Sequence, residues 1–287
     1  MIDLHTQAPY YPRFAMNNTY GIRAINESVV RSMYSACHKD GGCLDLLSRC
    51  GGADRFPDAG NQDCARAAYE CRTYVEEPYY VYRDRSAYDI RFSAANASGQ
   101  SYFEKFLNTA GAQNALGVDL NYTALNWDVF SSFEDTGDLA YPNFLSDLGA
   151  LLNNSVSVVL YCGDADYVCN WFGGEAASLN ISYTHSMDLR QAKYRPFILG
   201  GIEYGQVRQA SNLSVVRYYS AGHHVAWSQP KASLEMFRRA LNHVDLATGQ
   251  TTENSVYQQY QRPPQLDATH GRRILRSTTS VLRGKLS

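Results

Sequence analysis

Several features that would assign a protein to a class at once are missing from this sequence. No apolar run approaches the roughly 20 residues that a membrane-spanning helix needs. The start, Met1–His5, has neither the basic residues nor the apolar stretch of a secretory signal peptide. A net charge of -2 gives no reason to expect a nucleic-acid partner. The segment G-x-S-x-G, which carries a nucleophilic serine in many hydrolases, is absent as well.

Cysteine, by contrast, is concentrated in one region. Of seven cysteines, five lie between Cys37 and Cys71. Cys50 follows Cys43 by seven residues, and Cys71 follows Cys64 by seven. This spacing fits two nested disulfides, Cys43–Cys71 outside and Cys50–Cys64 inside, although other pairings and a metal site stay open. Zinc sites usually show more closely spaced cysteine pairs, so we favour disulfides and an oxidising compartment.

Glycosylation sequons point to the same compartment. The sequence contains seven N-x-[ST] sequons, at Asn17, Asn26, Asn96, Asn121, Asn153, Asn180 and Asn212. Together with disulfides they indicate the secretory pathway, with the protein secreted or vacuolar. Because no signal peptide is visible, we expect an N-terminal part of the protein to precede Met1.

The sequence pattern predicts three parts along the chain. Residues 1–98 are rich in turn signals and should form a loop-rich, partly helical region stapled by disulfides. Residues 99–249 alternate helical and strand patterns, which predicts an α/β fold. Residues 250–287 are polar and basic, and we predict a disordered tail there.

Three stretches have the apolar spacing of amphipathic helices. The first helix face is predicted to comprise Phe103, Phe106, Leu107 and Ala110. Pro142 should open a second helix that ends at Asn153, with the stripe Phe144, Leu145, Leu148, Leu151 and Leu152. Pro230 precedes a third helix, whose apolar face is predicted to be Leu234, Phe237, Leu241 and Val244.

Two short apolar segments are predicted to be strands. Val156–Tyr161 is β-branched, which is typical of a strand buried on both faces of a parallel sheet. The second segment is Leu213–Tyr219. Between the two segments, residues 197–199 and 203–209 are predicted to form a hairpin around Gly200-Gly201. Asp166 follows the first segment, and His223 follows the second. Functional sites in open α/β sheets form at the carboxyl ends of the strands, so both residues are candidates for such a site.

Asp166 and His223 are suited to act as a pair. An aspartate can hold an imidazole in one tautomer, so that the other ring nitrogen accepts the proton of a nucleophilic hydroxyl. In α/β-hydrolases these residues occur in the order serine, aspartate, histidine, and the last two steps fit this chain. On the pattern alone a simpler interpretation stays open, since an aspartate after glycine is common in turns.

The residues around both positions resemble the catalytic segments of serine carboxypeptidases. Residues 159–174 are similar to the family pattern Y-x-G-D-x-D-x-x-C-N-W. In that pattern the second aspartate, here Asp166, belongs to the triad, and Asp164 is structural. Residues 221–225, with Gln229-Pro230 after them, resemble the catalytic-histidine segment G-H-x-V-P and place the histidine at His223.

Further segments extend the resemblance from Met1 to about Gly249. The block Tyr88–Arg91 matches, and the stretch 117–123 is closest to fungal secreted or vacuolar carboxypeptidases. The C-x6-C repeat also matches, and in relatives it forms the two nested disulfides described above. The resemblance therefore implies an α/β-hydrolase fold, represented by the C-terminal part of its sheet with a disulfide-stapled, partly helical cap insertion.

The resemblance also implies a function. The full enzyme would be a serine-type carboxypeptidase that releases C-terminal amino acids from peptides or proteins through an acyl-enzyme. Val168, Cys169 and His224 would contact the substrate, and no metal or organic cofactor is implied. His224 stands where the family usually has Glu or Met, and Ala226 replaces the usual Pro, so the preference for the leaving residue does not carry over.

The family's nucleophilic serine and oxyanion hole come from an N-terminal half, and neither is in this chain. Ile2-Asp3 resembles the end of the family segment G-N-G-x-I-D. We therefore expect a C-terminal fragment of a serine carboxypeptidase that is inactive alone. One alternative is a catalytically dead truncated product or pseudoenzyme with at most a binding role. Another acyl transfer on the same scaffold is a third interpretation, which the fungal-type motifs disfavour.

Overall fold

The structure is a computed structural model that describes residues 3–50, 62–96, 102–141 and 144–251. The predicted boundary near residue 98, Pro142 and the predicted tail from residue 252 onward lie outside the described residues. The described helices are α1 (Leu4–Gln7), α2 (Tyr10–Met16), α3 (Glu27–His38), α4 (Cys43–Arg49), α5 (Gln62–Cys71), α6 (Pro78–Tyr82), α7 (Tyr102–Leu107), α8 (Ala110–Leu116), α9 (Trp127–Asp135), α10 (Phe144–Asn153), α11 (Trp171–Asn180), α12 (Ser186–Gln191), α13 (Val225–Ser228) and α14 (Pro230–Leu241). The strands are β1 (Val158–Gly163), β2 (Arg195–Leu199), β3 (Ile202–Ala210) and β4 (Leu213–Tyr218).

The four strands form one mixed sheet in the order β1-β4-β3-β2. Strands β2 and β3 form the hairpin that the Gly200-Gly201 turn predicts, and β3 runs antiparallel to β4. Strands β1 and β4 are parallel, with Val158 opposite Leu213 and Gly163 opposite Tyr218. Both strands therefore end at the same edge of the sheet. In the sequence, β1 lies between helices α10 and α11, and β4 is followed by α13, an alternation that is typical of an α/β fold.

Strand β1 lies at one end of the sheet among the described residues. It begins at Val158, two residues after the predicted start, and the side chain of Tyr161 is 54% exposed. The expectation that this strand is buried on both faces is therefore wrong for the described chain. The apolar residues of β1 are explained by one packed side, on which Val158 and Leu160 contact the cluster formed by β4, Leu152 and Ile181.

The N-terminal helices have a core of their own. Helix α3 begins at Asn26, whose side chain accepts a hydrogen bond from the Ser28 amide at 2.9 Å. Two disulfides, Cys43–Cys71 and Cys50–Cys64, join α4 to α5 in the nested order. The largest buried side chains of this core include Tyr11, Phe14, Met33, Leu47 and Tyr79, and Tyr167 enters it from the loop after β1. This contact fixes the disulfide-stapled helices against the loop that carries Asp166.

The first predicted amphipathic helix differs in the structure. Helix α7 ends at Leu107, and Thr109 caps a new helix, α8, by accepting a hydrogen bond from the Ala112 amide. Phe103 and Phe106 are both more than half exposed. The predicted single face is therefore wrong, because the hydroxyl of Thr109 satisfies free amides and starts a separate helix.

Helix α14 is present as predicted, but the opposite face is buried. Leu234, Phe237 and Leu241 are 69%, 57% and 63% exposed. The buried residues of α14 are Ala232, Met236 and Arg239. The Arg239 guanidinium donates hydrogen bonds to the carbonyls of Leu246 and Ala247 at 2.7 and 2.8 Å and pairs with Glu235. Apolar spacing could not reveal that face, because an arginine is normally assigned to the surface.

Helix α10 begins and ends near the predicted positions and buries Leu152, while Phe144 and Leu151 of its predicted stripe are exposed.

In the part of the chain that the structure describes, no helix combines the length and the apolar character that crossing a membrane requires.

We predict that Arg239→Ala lowers the free energy of unfolding by about 3 kcal/mol, because it removes the donors of two buried carbonyls and one partner of Glu235. Arg238→Ala is the matched control, since Arg238 also pairs with Glu235 but is largely exposed. It should cost far less, because solvent screens an exposed ion pair. Urea unfolding followed by circular dichroism measures both, and equal losses would contradict the structural role of Arg239.

Candidate active site

The site lies at the edge of the sheet where β1 and β4 both end. The loop after β1 carries Asp166, and the loop after β4 carries His223. The two loops touch through backbone hydrogen bonds, including one from the Ala165 amide to the Ala221 carbonyl at 2.9 Å. Gly163 permits this approach, because a Cβ at that position would lie only 2.3 Å from the Gly222 carbonyl oxygen.

Asp166 and His223 are joined by a hydrogen bond. His223 Nδ1 lies 3.0 Å from Asp166 Oδ2. The carboxylate is buried, with Asp166 only 2% exposed, whereas the His223 side chain is 33% exposed. A bond from Nδ1 to the carboxylate fixes the tautomer and the ring orientation, which makes Nε2 the nitrogen that can exchange a proton with another group.

Tyr88 positions the histidine from a third segment. The Tyr88 carbonyl accepts a hydrogen bond from the His223 amide at 2.7 Å, and its ring lies 5.3 Å from the His223 ring, centroid to centroid. Gly222 is needed here, since a Cβ would meet the Tyr88 carbonyl oxygen at 2.3 Å. The sequence marked Tyr88 only as part of a family block, and only the fold shows its contact with His223.

Asp164 has a different environment from Asp166. The Tyr20 hydroxyl donates a hydrogen bond to Asp164, and the same hydroxyl accepts one from the Ser220 amide at 3.1 Å. Burial raises the pKa of Asp164 above its ordinary value, while the hydrogen bond from Tyr20 acts in the opposite direction. Asp164 therefore braces the two loops through Tyr20 and does not contact the imidazole pair by any hydrogen bond found in the described chain.

The three residues expected to contact substrate also lie at this edge. Cys169 is partly buried and is hydrogen-bonded to the His223 ring. The carbonyl of Val168 accepts hydrogen bonds from the Gln7 side chain and the Tyr11 hydroxyl, so this loop is held by α1 and α2. His224 is exposed, and its ring stacks on Tyr88 with centroids 6.3 Å apart. The structure thus places Val168, Cys169 and His224 around the Asp166–His223 pair.

These contacts raise the pKa of His223 to about 10. The hydrogen bond with Asp166 is the largest cause, the hydrogen bond with Cys169 follows, and burial acts in the opposite direction. The imidazolium is consequently the favoured form of His223 at neutral pH. In this form the ring can donate a proton but cannot accept one.

Within the described part of the chain, the side chains of Asp166, Cys169 and His223 form a group that could hold a metal ion. The ligand atoms of Asp166, Cys169 and His223 lie within 4.8 Å of one another. The hydrogen bonds that join His223 to the other two residues account for this proximity without an ion.

The sequon asparagines differ in their exposure and in their hydrogen bonds. Asn17, Asn26, Asn121, Asn153 and Asn180 are exposed, and Asn96 ends a short helical turn, Ala94–Asn96. Asn212 is partly buried, and its Nδ2 donates hydrogen bonds to the carbonyls of Leu152 and Val156 at 2.8 and 2.9 Å. A glycan on Asn212 would have to displace both hydrogen bonds.

We predict that Asp166→Asn lowers the pKa of His223 further than Cys169→Ser does, because Asp166 is the larger cause of its elevation. In the unaltered chain the raised pKa stabilises the fold fully below pH 6.5, and this contribution is lost as the pH rises through about 10. The histidine ring signals in NMR spectra recorded across this range measure both effects. A His223 that titrates near pH 6.5 in the unaltered chain would refute the geometry.

Comparisons with known proteins agree with this arrangement. The serine carboxypeptidase family model matches residues 1–243. The chain is 40% identical to Carboxypeptidase S1 homolog B of Arthroderma otae, over 86% of this chain and 39% of the relative. It is 33% identical to a Carboxypeptidase Y homolog of Arthroderma benhamiae, over 94% of this chain and 45% of the relative. The chain thus spans less than half the length of these two relatives.

A solved structure shares the fold. The crystal structure of Kex1(delta)p, a prohormone-processing carboxypeptidase from Saccharomyces cerevisiae, superposes with a TM-score of 0.62 at 20% identity, covering 85% of this chain and 53% of that one. The fold is accordingly the C-terminal part of an α/β-hydrolase sheet with a disulfide-stapled, partly helical insertion. The match over residues 1–243, together with relatives at 33% to 40% identity, shows that this chain belongs to the serine carboxypeptidase family.

Proposed function

We propose that this chain is the part of a serine-type carboxypeptidase that supplies the aspartate and histidine of its catalytic triad. The observation that carries the proposal is the 3.0 Å hydrogen bond between Asp166 Oδ2 and His223 Nδ1, at the carboxyl ends of two parallel strands. The substrates are the C-termini of peptides or proteins, and the product is the released C-terminal amino acid. The family to which the chain belongs supports this substrate class.

In the proposed reaction His223 acts first as a base and then as an acid. Its Nε2 takes the proton of a serine hydroxyl as the oxygen attacks the last peptide bond, and then gives that proton to the departing amine. Asp166 holds the ring and stabilises the imidazolium that forms. A water molecule then releases the acyl group from the serine. The serine and the oxyanion hole of the proposed reaction are not supplied by these 287 residues, which contain no G-x-S-x-G.

Three neighbours of the pair are the proposed substrate contacts. Val168 and Cys169 would line the pocket for the residue before the scissile bond, and His224 would lie beside the departing residue. The position of Cys169 against the His223 ring and the exposure of His224 support these assignments.

The proposed compartment is the secretory pathway, with the full protein secreted or vacuolar. The two nested disulfides support an oxidising compartment, and the exposed sequons would be able to carry glycans there. We retain residues 1–98 as the proposed cap region and residues 99–249 as the part that carries the Asp–His pair.

A second candidate function is that of a truncated product without catalysis, with at most a binding role. Two observations favour it for the chain taken alone. The sequence has no nucleophilic serine segment, and the raised pKa of His223 leaves the ring protonated near neutral pH. A protonated imidazole cannot serve as the general base that serine chemistry needs.

Separate measurements on the chain and on a longer protein that includes the serine segment distinguish these functions. We predict that the chain alone releases no C-terminal residue from peptides and is not labelled by a serine-directed phosphonate. In the longer protein, Asp166→Asn should lower kcat by about 10³- to 10⁴-fold, because the ring loses its orientation and its tautomer. Asp164→Asn is a control for local folding, which should leave the phosphonate label in place. An unchanged kcat in Asp166→Asn would overturn the proposal.

His224 generates a prediction about the leaving residue. A hydrogen bond from the His224 ring to the carboxylate side chain of the departing residue would favour peptides that end in Asp or Glu. We expect the preference for Glu over Gln at the C-terminus to fall about fivefold in His224→Ala, because the variant lacks this donor. Comparison of kcat/KM for the two peptides measures the preference. A preference that is the same in the variant and in the unaltered protein would exclude this role.

A further inference from the structure

The serine mechanism leaves one reactive group of the site without a chemical role. Cys169 belongs to neither disulfide of the described chain, and its thiol is hydrogen-bonded to the His223 ring. The ring in turn is hydrogen-bonded through Nδ1 to Asp166 at 3.0 Å. The ligand atoms of all three side chains lie within 4.8 Å of one another. A nucleophile, an imidazole within hydrogen-bonding reach and a carboxylate that orients the imidazole are the parts of a nucleophilic catalytic centre.

The backbone around Cys169 is held on both sides. Before it, the Val168 carbonyl accepts hydrogen bonds from Gln7 Nε2 at 3.1 Å and from the Tyr11 hydroxyl at 3.2 Å. After it, Asn170 caps helix α11 by accepting a hydrogen bond from the Gly173 amide at 3.1 Å, and its Nδ2 donates to the Tyr167 carbonyl. The thiol is thereby kept against His223, while its partial exposure leaves room for a reagent.

Two further cysteines outside the disulfides of the described chain, Cys37 and Cys162, provide an internal contrast. Burial raises the pKa of the Cys37 thiol and of the Cys162 thiol to about 12. Neither has a histidine among the groups that shift its pKa. A thiol of this kind is inert, because the thiolate is the nucleophile and burial without a cation disfavours it. Cys169 differs from both by its contact with an imidazole that Asp166 helps to keep protonated.

We propose that Cys169, His223 and Asp166 form a second nucleophilic centre, in which the Cys169 sulfur accepts an acyl group from an activated ester. The sulfur attacks the ester carbonyl carbon, and a thioester bond forms as the bond from that carbon to the alkoxy or aryloxy oxygen breaks. The thiol proton leaves to solvent, the protonated His223 ring gives its own proton to the departing oxygen, and the ring then regains a proton from solvent. The products are the S-acyl chain and the free alcohol or phenol, with no oxidation or reduction.

This centre uses the same Asp–His pair as the proposed peptidase but takes its nucleophile from within the chain. The two proposals can therefore fail separately. Phosphonate labelling of a serine in a longer protein tests the peptidase, whereas S-acylation of the present chain tests the thiol centre. Neither result decides the other.

The experiment treats the chain with p-nitrophenyl acetate near neutral pH and follows its intact mass and its peptide map. We expect one acetyl group per chain on Cys169, and neutral hydroxylamine should remove it, since hydroxylamine cleaves thioesters and leaves acetylated lysine intact. His223→Gln should slow the acetylation of Cys169 at least about tenfold, because the ring no longer handles the proton. Cys169→Ala should abolish the hydroxylamine-sensitive acetyl group.

Cys162→Ala is the matched control, since it removes a nearby thiol that has no histidine among the groups that shift its pKa, and it should leave the rate unchanged. Circular dichroism of each variant establishes that the helices are intact. In the unaltered chain, the acetylation rate of Cys169 can be compared directly with the rates of Cys37 and Cys162. Acetylation of all three cysteines at similar rates would overturn the proposal. An unchanged rate in a folded His223→Gln variant would overturn it as well, because the thiol would then react without the imidazole.

Discussion

The parallel pairing of β1 with β4 is the interaction on which the site depends. These strands are far apart in the chain, and the β2–β3 hairpin lies between them in sequence. In space, β4 separates that hairpin from β1. The register places Gly163 opposite Tyr218, so both strands end together. Asp166 and His223 follow these ends by a few residues each, and a shift of register would move the carboxylate away from the imidazole.

Close backbone approach then converts neighbouring strand ends into one site. A Cβ on Gly163 or on Gly222 would lie 2.3 Å from a carbonyl oxygen of the adjoining segment, so neither position tolerates a side chain without movement. Tyr20 and Tyr88 complete the arrangement from the N-terminal helical region, through the Ser220 amide and the His223 amide. The disulfide-stapled region therefore supports the geometry of a pair that lies outside it in sequence, and the site is a product of both regions.

The sequence predicted the elements that carry strong local signals. The strand before Asp166, the hairpin around Gly200-Gly201 and the helix after Pro230 all formed near their expected positions. It could not predict which face of α14 is buried, because Arg239 enters the interior to satisfy carbonyls that lie several residues further along. Nor could spacing reveal the contact between Cys169 and His223, since that contact depends on the packing of two loops.

His223 lies between a carboxylate and a thiol, and this position affects a serine nucleophile differently from a cysteine nucleophile. Both neighbours favour the imidazolium, and the pKa of the ring rises to about 10. A serine hydroxyl keeps its proton until a neutral imidazole removes it, so a protonated ring hinders serine chemistry at neutral pH. A thiol is intrinsically more acidic than a hydroxyl, so its reaction depends less on removal of the proton by the ring. The arrangement around Asp166 and Cys169 therefore favours sulfur chemistry over serine chemistry in this chain, and serine chemistry requires a weaker hold on the proton of His223.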